Sequence, residues 1–423
     1  MIRKDYDLIG ETVYYEKLPN GLSVFVIPKR GFNKYFAYFA SNYGGADSRY
    51  KLAGNWVDSP YGVAHFLEHK MFDTAEGDAM AKLSSNGASS NAYTSADITA
   101  YFFDCVDRFP ENLETLISFV SVPYFTPESV DKEQGIIGQE ILMCLDDPDH
   151  NLYYGLMESL FGPHPLSRSV AGTLESIATI TAGTLYDCHK AFYAPANMSL
   201  CVAGDVDPET ITSAARRMLP EGPGEIPLRD YGLNESLQPA AARFTKEMDV
   251  SLPIFLAGCK IPFAGHGEAS LTFDLTGALA LDVLAGNSSP LYCRMYADGL
   301  ISGDFSASID SAADSAYFMF GGETREPERV FDEMAKELHR LSREGVDPKL
   351  FERIKKAAAG SHIRMLNSFD AICAGIAGGA FRGYDSLKAM ELLSKITEDD
   401  VTAFLSENID CGNMAMSIIS PKS

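Results

Sequence analysis

No part of the 423-residue chain is an uninterrupted apolar run of the length a bilayer span needs, about 20 residues. The opening stretch, Met1-Ile2-Arg3-Lys4-Asp5-Tyr6-Asp7, is charged and contains no hydrophobic leader. The expectation is a cytoplasmic protein with no membrane association. Positive charge is scarce: 35 Lys and Arg against 58 Asp and Glu give a net charge of −23. That argues against a nucleic-acid binder, which presents a basic face. An ordinary acidic protein explains the charge, and an acidic cavity would in addition favour basic peptides. The eight cysteines include no C-x-x-C pair and read as reduced, mostly buried thiols. No phosphate-cradling G-x-x-x-x-G-K loop occurs. Six of the eight histidines (His150, His164, His189, His266, His339 and His362) are isolated, so there is no second cluster for a two-metal site. His164, in a Gly-Pro-His-Pro loop, has no partner in sequence and reads as structural.

The other two histidines are His65 and His69, inside Gly62-Val63-Ala64-His65-Phe66-Leu67-Glu68-His69-Lys70-Met71-Phe72. In a helix, residues four apart lie one turn apart on one face. Two imidazoles at that spacing can grip one metal ion, and Glu68 can reach a water on that ion without ligating it. This is the H-x-x-E-H order, the inverse of H-E-x-x-H. A helix is expected over 60–72, with Ser59 as its cap and Pro60 in its first turn. A catalytic site needs a third ligand and an open position. A long helix beginning near Pro127 carries Glu133 and Glu140, seven apart and so on one face. Glu140 is the candidate ligand and Glu133 would sit one layer out. By spacing alone, two solvated helix glutamates explain this pattern better. Gly135 and Gly138 suggest close packing of another element, with the metal helix the natural candidate.

Residues 12–28 read as a hairpin turning at Asn20-Gly21 in a type I′ turn. Strands are expected over 35–43 and 99–106, and helices over 77–85 and 108–122. The stretch 88–94, beside the metal helix, is a place where an extended peptide can add by backbone pairing. Its Asn91, Ala92 and Tyr93 are the substrate-binding candidates. A Pro- and Gly-rich linker is expected over 219–241. It separates a domain over 1–218, which bears the metal motif, from one over 242–423. The halves look duplicated. Ile180-Thr181 precedes Asn197-Met198 at the same spacing that separates Ile396-Thr397 from Asn413-Met414. In that register His65, Glu68 and His69 fall on Leu281, Leu284 and Ala285, so the second half lacks the metal chemistry.

On these residues the chain resembles the pitrilysin or insulinase family of inverted-motif zinc peptidases. The resemblance rests on the run 62–72, on Asn91-Ala92-Tyr93-Thr94, on Glu133 and Glu140, and on Pro195-Ala196-Asn197-Met198 followed by Gly204-Asp205. It is closest to the short bacterial two-domain members related to the mitochondrial processing peptidases. The resemblance implies an α+β fold of two homologous domains, each a mostly antiparallel sheet packed with helices. It implies one Zn²⁺ per chain held by His65, His69 and Glu140, Glu68 as general base, and Glu133 in the surrounding acidic network. It implies peptide substrates and a chamber formed by a homodimer, or by a heterodimer with a homologue. Members often carry an Arg and, seven residues later, a Tyr that anchor substrate; here Arg294 is followed at that distance by Ile301, and the usual positions fall nearer Tyr296 and Ser302. The expectation is therefore a zinc-bearing subunit that needs a partner supplying that pair. The alternative is a non-catalytic scaffold of the same fold.

Overall fold

The structure, a computed structural model, describes residues 1–232 and 236–422. It forms two compact units, neither contiguous in sequence. The first contains Met1–Ile141, Ser169–Tyr231 and Arg364–Leu387; the second contains Leu142–Arg168, Gly232–Ile363 and Lys388–Ser423. The chain thus crosses at Tyr231 within the expected linker, but each unit also takes one segment from the other half of the sequence.

The first unit is built on a seven-stranded sheet of β1 (Ile2–Tyr6), β2 (Glu11–Lys17), β3 (Ser23–Pro28), β4 (Tyr35–Ser41), β5 (Ser89–Thr94), β6 (Thr99–Cys105) and β7 (Met198–Gly204). Its order is β1-β2-β3-β7-β4-β6-β5, with β7 parallel to β3 and antiparallel to β4. All seven residues of β7 are buried, as a central strand covered on both faces must be. One face packs Val24, Val26, Phe39, Leu200 and Phe103 against Phe66 and Leu67 of the motif helix and against Leu113, Leu116 and Leu185 of neighbouring helices. The other face packs Phe36, Tyr38 and Ala203 against Phe369, Ile372 and Ile376 of the helix Phe369–Arg382. Each such large apolar side chain contributes about 1.5–3 kcal/mol when fully buried. That is why this helix belongs to a sheet so distant from it in sequence.

The second unit has a five-stranded sheet of β8 (Arg243–Met248), β9 (Ile254–Ile261), β10 (Ser306–Ala312), β11 (Ser315–Glu323) and β12 (Ala415–Pro421), in the order β8-β12-β9-β11-β10. Here β12 is parallel to β8 and antiparallel to β9. This repeats β3-β7-β4-β6-β5. The helix Pro148–Phe161 lies against it, with Leu152 on Met248 and Ile419. Gly155 permits a close approach: a Cβ there would stand 2.3 Å from the Phe244 ring. The register read from sequence appears in local detail too. Thr181 and Thr397 each close a capping box before the helices Ala182–Phe192 and Glu398–Asn408. Each helix then leads through a short 3₁₀ turn into an inner strand, β7 or β12. The fold is α+β.

Three local readings change. The hairpin loop is Pro19-Asn20-Gly21 rather than a two-residue I′ turn: Leu18 and Leu22 pair, Gly21 N–H donates to Leu18 O at 2.8 Å, and of the three only Gly21 has positive φ, +85°. Pro19 locks a negative φ and so suits a type I turn followed by a left-handed glycine. The motif helix begins at Val63, not Pro60. Its cap is Gly62 at φ +91°, because Ser59 is used instead in hydrogen bonds to Ser48 O. Within the expected linker, Leu228–Arg229 is a short strand paired with Tyr50 and Lys51, and Arg229 and Tyr231 both bond the buried Asp47. Burial pushes the Asp47 carboxyl up to about 6, against the pull of Arg229. Leu233, Asn234 and Glu235 of that linker lie outside the described residues.

Glu268–Ala297 is, among the described residues, the stretch long and apolar enough by composition to cross a membrane, although it is not an uninterrupted apolar run. Its most apolar part is 61% buried inside the protein, as in a core helix.

Candidate functional site

The site lies in the first unit, between the motif helix (Val63–Met71) and the helix Pro127–Asp146, which we term the glutamate helix. The motif helix is amphipathic in an unusual sense. Phe66, Leu67 and Met71 are buried in the core, and the two imidazoles leave the opposite side with ring centroids 4.6 Å apart. Gly62 sets the entry. Its φ is in the left-handed region, and a Cβ there would meet Ala171 O at 2.6 Å.

The structure brings both histidines onto one carboxylate. His65 Nε2 is 3.4 Å from Glu140 Oε1, and His69 Nε2 is 3.7 Å from Glu140 Oε2. One ligand atom from each of the three lies within 4.8 Å of the others, and among the described residues no other such group of three occurs. Tetrahedral zinc with bonds of about 2.0–2.1 Å spaces its ligand atoms by about 3.3–3.4 Å. The spacing and the donor set, two imidazole nitrogens and a carboxylate oxygen, fit a zinc ion with a position left open. His65 Nδ1 is buried with no hydrogen-bond partner, whereas His69 Nδ1 donates to Glu133 Oε1 at 3.0 Å. That bond leaves the His69 lone pair on Nε2, toward Glu140.

The electrostatics favour a cation. Burial opposes charge on His69, yet the bond to Glu133 and the nearby carboxylates of Glu68, Glu133 and Glu140 outweigh it and raise its pKa. The hydrogen bond from His65 lowers Glu140, against burial. Burial opposes ionisation of Glu133, but His69 and Lys70 overcome it and hold the carboxyl below its ordinary value.

Glu68 is buried, at 8% exposure, and is not one of the converging ligands. Its Oε2 accepts a hydrogen bond from Thr94 Oγ1 at 2.7 Å. Thr94 had no assigned role in the sequence reading, although it closes the Asn-Ala-Tyr-Thr run. The available signal was strand alternation, which puts Ala92 and Thr94 on one face of β5 and Asn91 and Tyr93 on the other. Accordingly Ala92 packs with the core beneath the motif helix. Tyr93 turns away from the histidines and hydrogen-bonds Tyr38 OH at 2.6 Å. Asn91 Oδ1 accepts from the Ala92 backbone N–H at 2.9 Å. Among the described residues β5 is an edge strand, pairing with β6 alone. Lys70 and Asp73 were also missed. Lys70 is buried beside Glu133 and paired with Asp73.

Other expectations resolve differently. Gly135 has open space where a Cβ would point, and Gly138 faces the Leu174 side chain at 3.5 Å, so neither glycine packs against the motif helix. The approach of the two helices is carried by polar contacts instead. His164 lies in the second unit, where its Nδ1 accepts from Leu166 N–H as a cap, and burial lowers its pKa to about 4. Arg294 faces Glu333 and Glu337, at 3.8 and 3.6 Å, and Ile301 is buried. The register positions of the motif residues, Leu281, Leu284 and Ala285, are buried in the helix Glu268–Ala285.

Two linked α+β units of one strand order, with an H-x-x-E-H helix facing a glutamate helix in the first alone, define a metallohydrolase-like class. The sequence matches the family described as Insulinase (Peptidase family M16) over residues 53–174, and the one described as Peptidase M16 inactive domain over 179–358. "Uncharacterized zinc protease YmfH" of Bacillus subtilis (strain 168) is 38% identical over 429 residues, 99% of this chain and 99% of that protein. The M16-like peptidase from Alicyclobacillus acidocaldarius has a solved structure 31% identical to this chain, with a TM-score of 0.93 over 97% of this chain and 99% of that one. A protease from Helicobacter pylori shares the fold at 19% identity, with a TM-score of 0.80 over 97% and 99% of the two chains. The chain belongs to the insulinase family, peptidase family M16.

Proposed function

We propose that the chain is a zinc-dependent endopeptidase that hydrolyses peptides or unfolded segments. The observation that carries this reading is the convergence of His65, His69 and Glu140 with Glu68 beside them but outside the ligand set. The names of its relatives, zinc proteases, support it. His65, His69 and Glu140 would hold one zinc ion, which supplies Lewis-acid polarisation of a water and of the scissile carbonyl. Glu68 takes a proton from the water as its oxygen bonds to the carbonyl carbon. It returns that proton to the amide nitrogen as the C–N bond breaks. Thr94 fixes the carboxylate that does this, and Glu133 orients His69. Substrate backbone pairs with the open edge of β5, where the Ala92 N–H is now held by Asn91. Asn91, Ala92 and Tyr93 therefore serve substrate through backbone rather than through a tyrosine ring at the metal.

We also propose that the active form is a chamber of two subunits, homodimeric or with a homologue that carries the Arg/Tyr pair. The departure from the Arg/Tyr spacing supports this: Arg294 lies beside Glu333 and Glu337, and the position seven residues on is the buried Ile301.

The test is turnover of a quenched fluorescent peptide library by the wild type and by Glu68→Gln, with bound zinc quantified in both. Glu68→Gln is expected to keep one zinc and to lose turnover by about 10²–10⁴-fold. A wild type that takes up no zinc under metal-replete conditions would overturn the reading in favour of a scaffold. Zinc binding without turnover, cured by adding a homologue, would support the two-subunit form.

A further inference from the structure

We infer that Lys70 is a positioning residue for the metal site, fixing Glu133 so that Glu133 can fix His69. The inference rests on the zinc reading above and extends it to a residue outside the ligand set. Lys70 is among the largest fully buried side chains of the protein, at 2% exposure. Burying a lysine without partners is strongly unfavourable, so a cation at such a position implies carboxylates placed to receive it. Both are present. Lys70 Nζ pairs with Asp73 on one side and lies 3.7 Å from Glu133 Oε2 on the other.

The two oxygens of Glu133 are thereby divided. Oε2 faces Lys70 and Oε1 accepts from His69 Nδ1 at 3.0 Å. The last torsion of a glutamate is broad and roughly two-fold, so its carboxylate turns easily unless both ends are held. With Oε2 held, Oε1 stays on the imidazole. His69 then keeps its proton on Nδ1 and its lone pair on Nε2, 3.7 Å from Glu140 Oε2. A continuous line of contacts runs from Asp73 through Lys70, Glu133 and His69 to Glu140. Packing alone does not explain it. The neighbouring core positions of the same helix, Leu67 and Met71, are apolar, and an apolar side chain would fill the place of Lys70 without the burial of a charge.

The test uses the 423-residue chain stripped of metal, with zinc affinity measured by competition against a chromophoric chelator and the melting temperature of the metal-free protein measured in parallel. Lys70→Met is expected to weaken zinc about tenfold, the lower end of the range for residues that support metal ligands. Lys70→Arg should restore most of the affinity. Glu133→Gln should weaken zinc at least as much, and adding Lys70→Met to it should change little, because both act through one contact. Asp73→Asn, at a half-exposed position, should shift affinity the same way by less, and it decides the matter if Lys70→Met does not fold. Wild-type affinity in Lys70→Met, additive effects in the double variant, or a lowered melting temperature with unchanged affinity would each overturn the inference and leave Lys70 a packing residue. A wild type that binds no zinc would overturn the zinc reading itself, which is a different result.

Discussion

The motif helix and its counterpart Glu268–Ala285 occupy equivalent places in two sheets of the same strand order, yet they present different chemistry. The first is nine residues long, enters through a left-handed glycine and turns two half-buried imidazoles toward a facing glutamate. The second is 18 residues long and buries Leu281, Leu284 and Ala285 at the register positions of His65, Glu68 and His69. Each unit has its own sheet, capped helix and apolar core. A two-histidine face also needs something opposite it, and the first unit supplies this from the glutamate helix.

The largest effect expected is at that facing residue. Glu140→Gln should abolish stoichiometric zinc and turnover while hydrogen exchange within Glu268–Ala285 stays unchanged. The converse is sharper: Leu281→His with Ala285→His recreates the spacing without a third ligand. That double variant should gain no second zinc by elemental analysis and should lose about 2–5 kcal/mol of stability through unpartnered buried polar groups and lost packing. A second zinc per chain would break the comparison.

The next effect compares the two segments exchanged between halves of the sequence. Gly155→Ala should cost about 1–3 kcal/mol, because its Cβ would meet the Phe244 ring at 2.3 Å and Ser417 Oγ at 2.7 Å. Gly378→Ala, in the helix Phe369–Arg382, should be neutral or stabilising by up to about 1 kcal/mol, since its nearest neighbour is Ile98 Cδ1 at 3.8 Å. Urea denaturation of both variants checks the pair. Equal destabilisation would show that the two helices do not differ in how closely they seat.

Residue by residue, the smallest loss of stability expected is acid sensitivity, shared by both units. Burial lowers His189 to about 4, against the pull of its bond to Val120 O, and burial also lowers His164 to about 4, with the charge of Lys260 adding to it. Unfolded histidine titrates near 6.5. Between these values the unfolded chain binds more protons than the folded one, so stability rises with pH across that window. It should therefore fall as pH drops from about 6.5 toward 4, by about 1–2 kcal/mol per histidine at pH 5. Urea midpoints at pH 7 and pH 5 measure this, and His189→Gln should remove one share. An unchanged slope in that variant would place the acid sensitivity elsewhere.

Much of this was legible in the chain itself. The four-residue spacing of His65 and His69 acts within one helical turn, so sequence alone aligned them and set Glu68 beside them. The repeat of Ile-Thr and Asn-Met announced two copies of one fold, because each copy must cap the same helix and fill the same inner strand. Tertiary structure decided what acts across distance in sequence. That Glu140 rather than solvent faces the histidines, that Thr94 holds Glu68, and that Lys70 and Glu133 stand behind His69 all depend on which helix and strand faces the packing puts together. The exchanged helices Pro148–Phe161 and Phe369–Arg382 were invisible for the same reason: an apolar stripe states that a helix must be covered, and only the finished core states by which sheet.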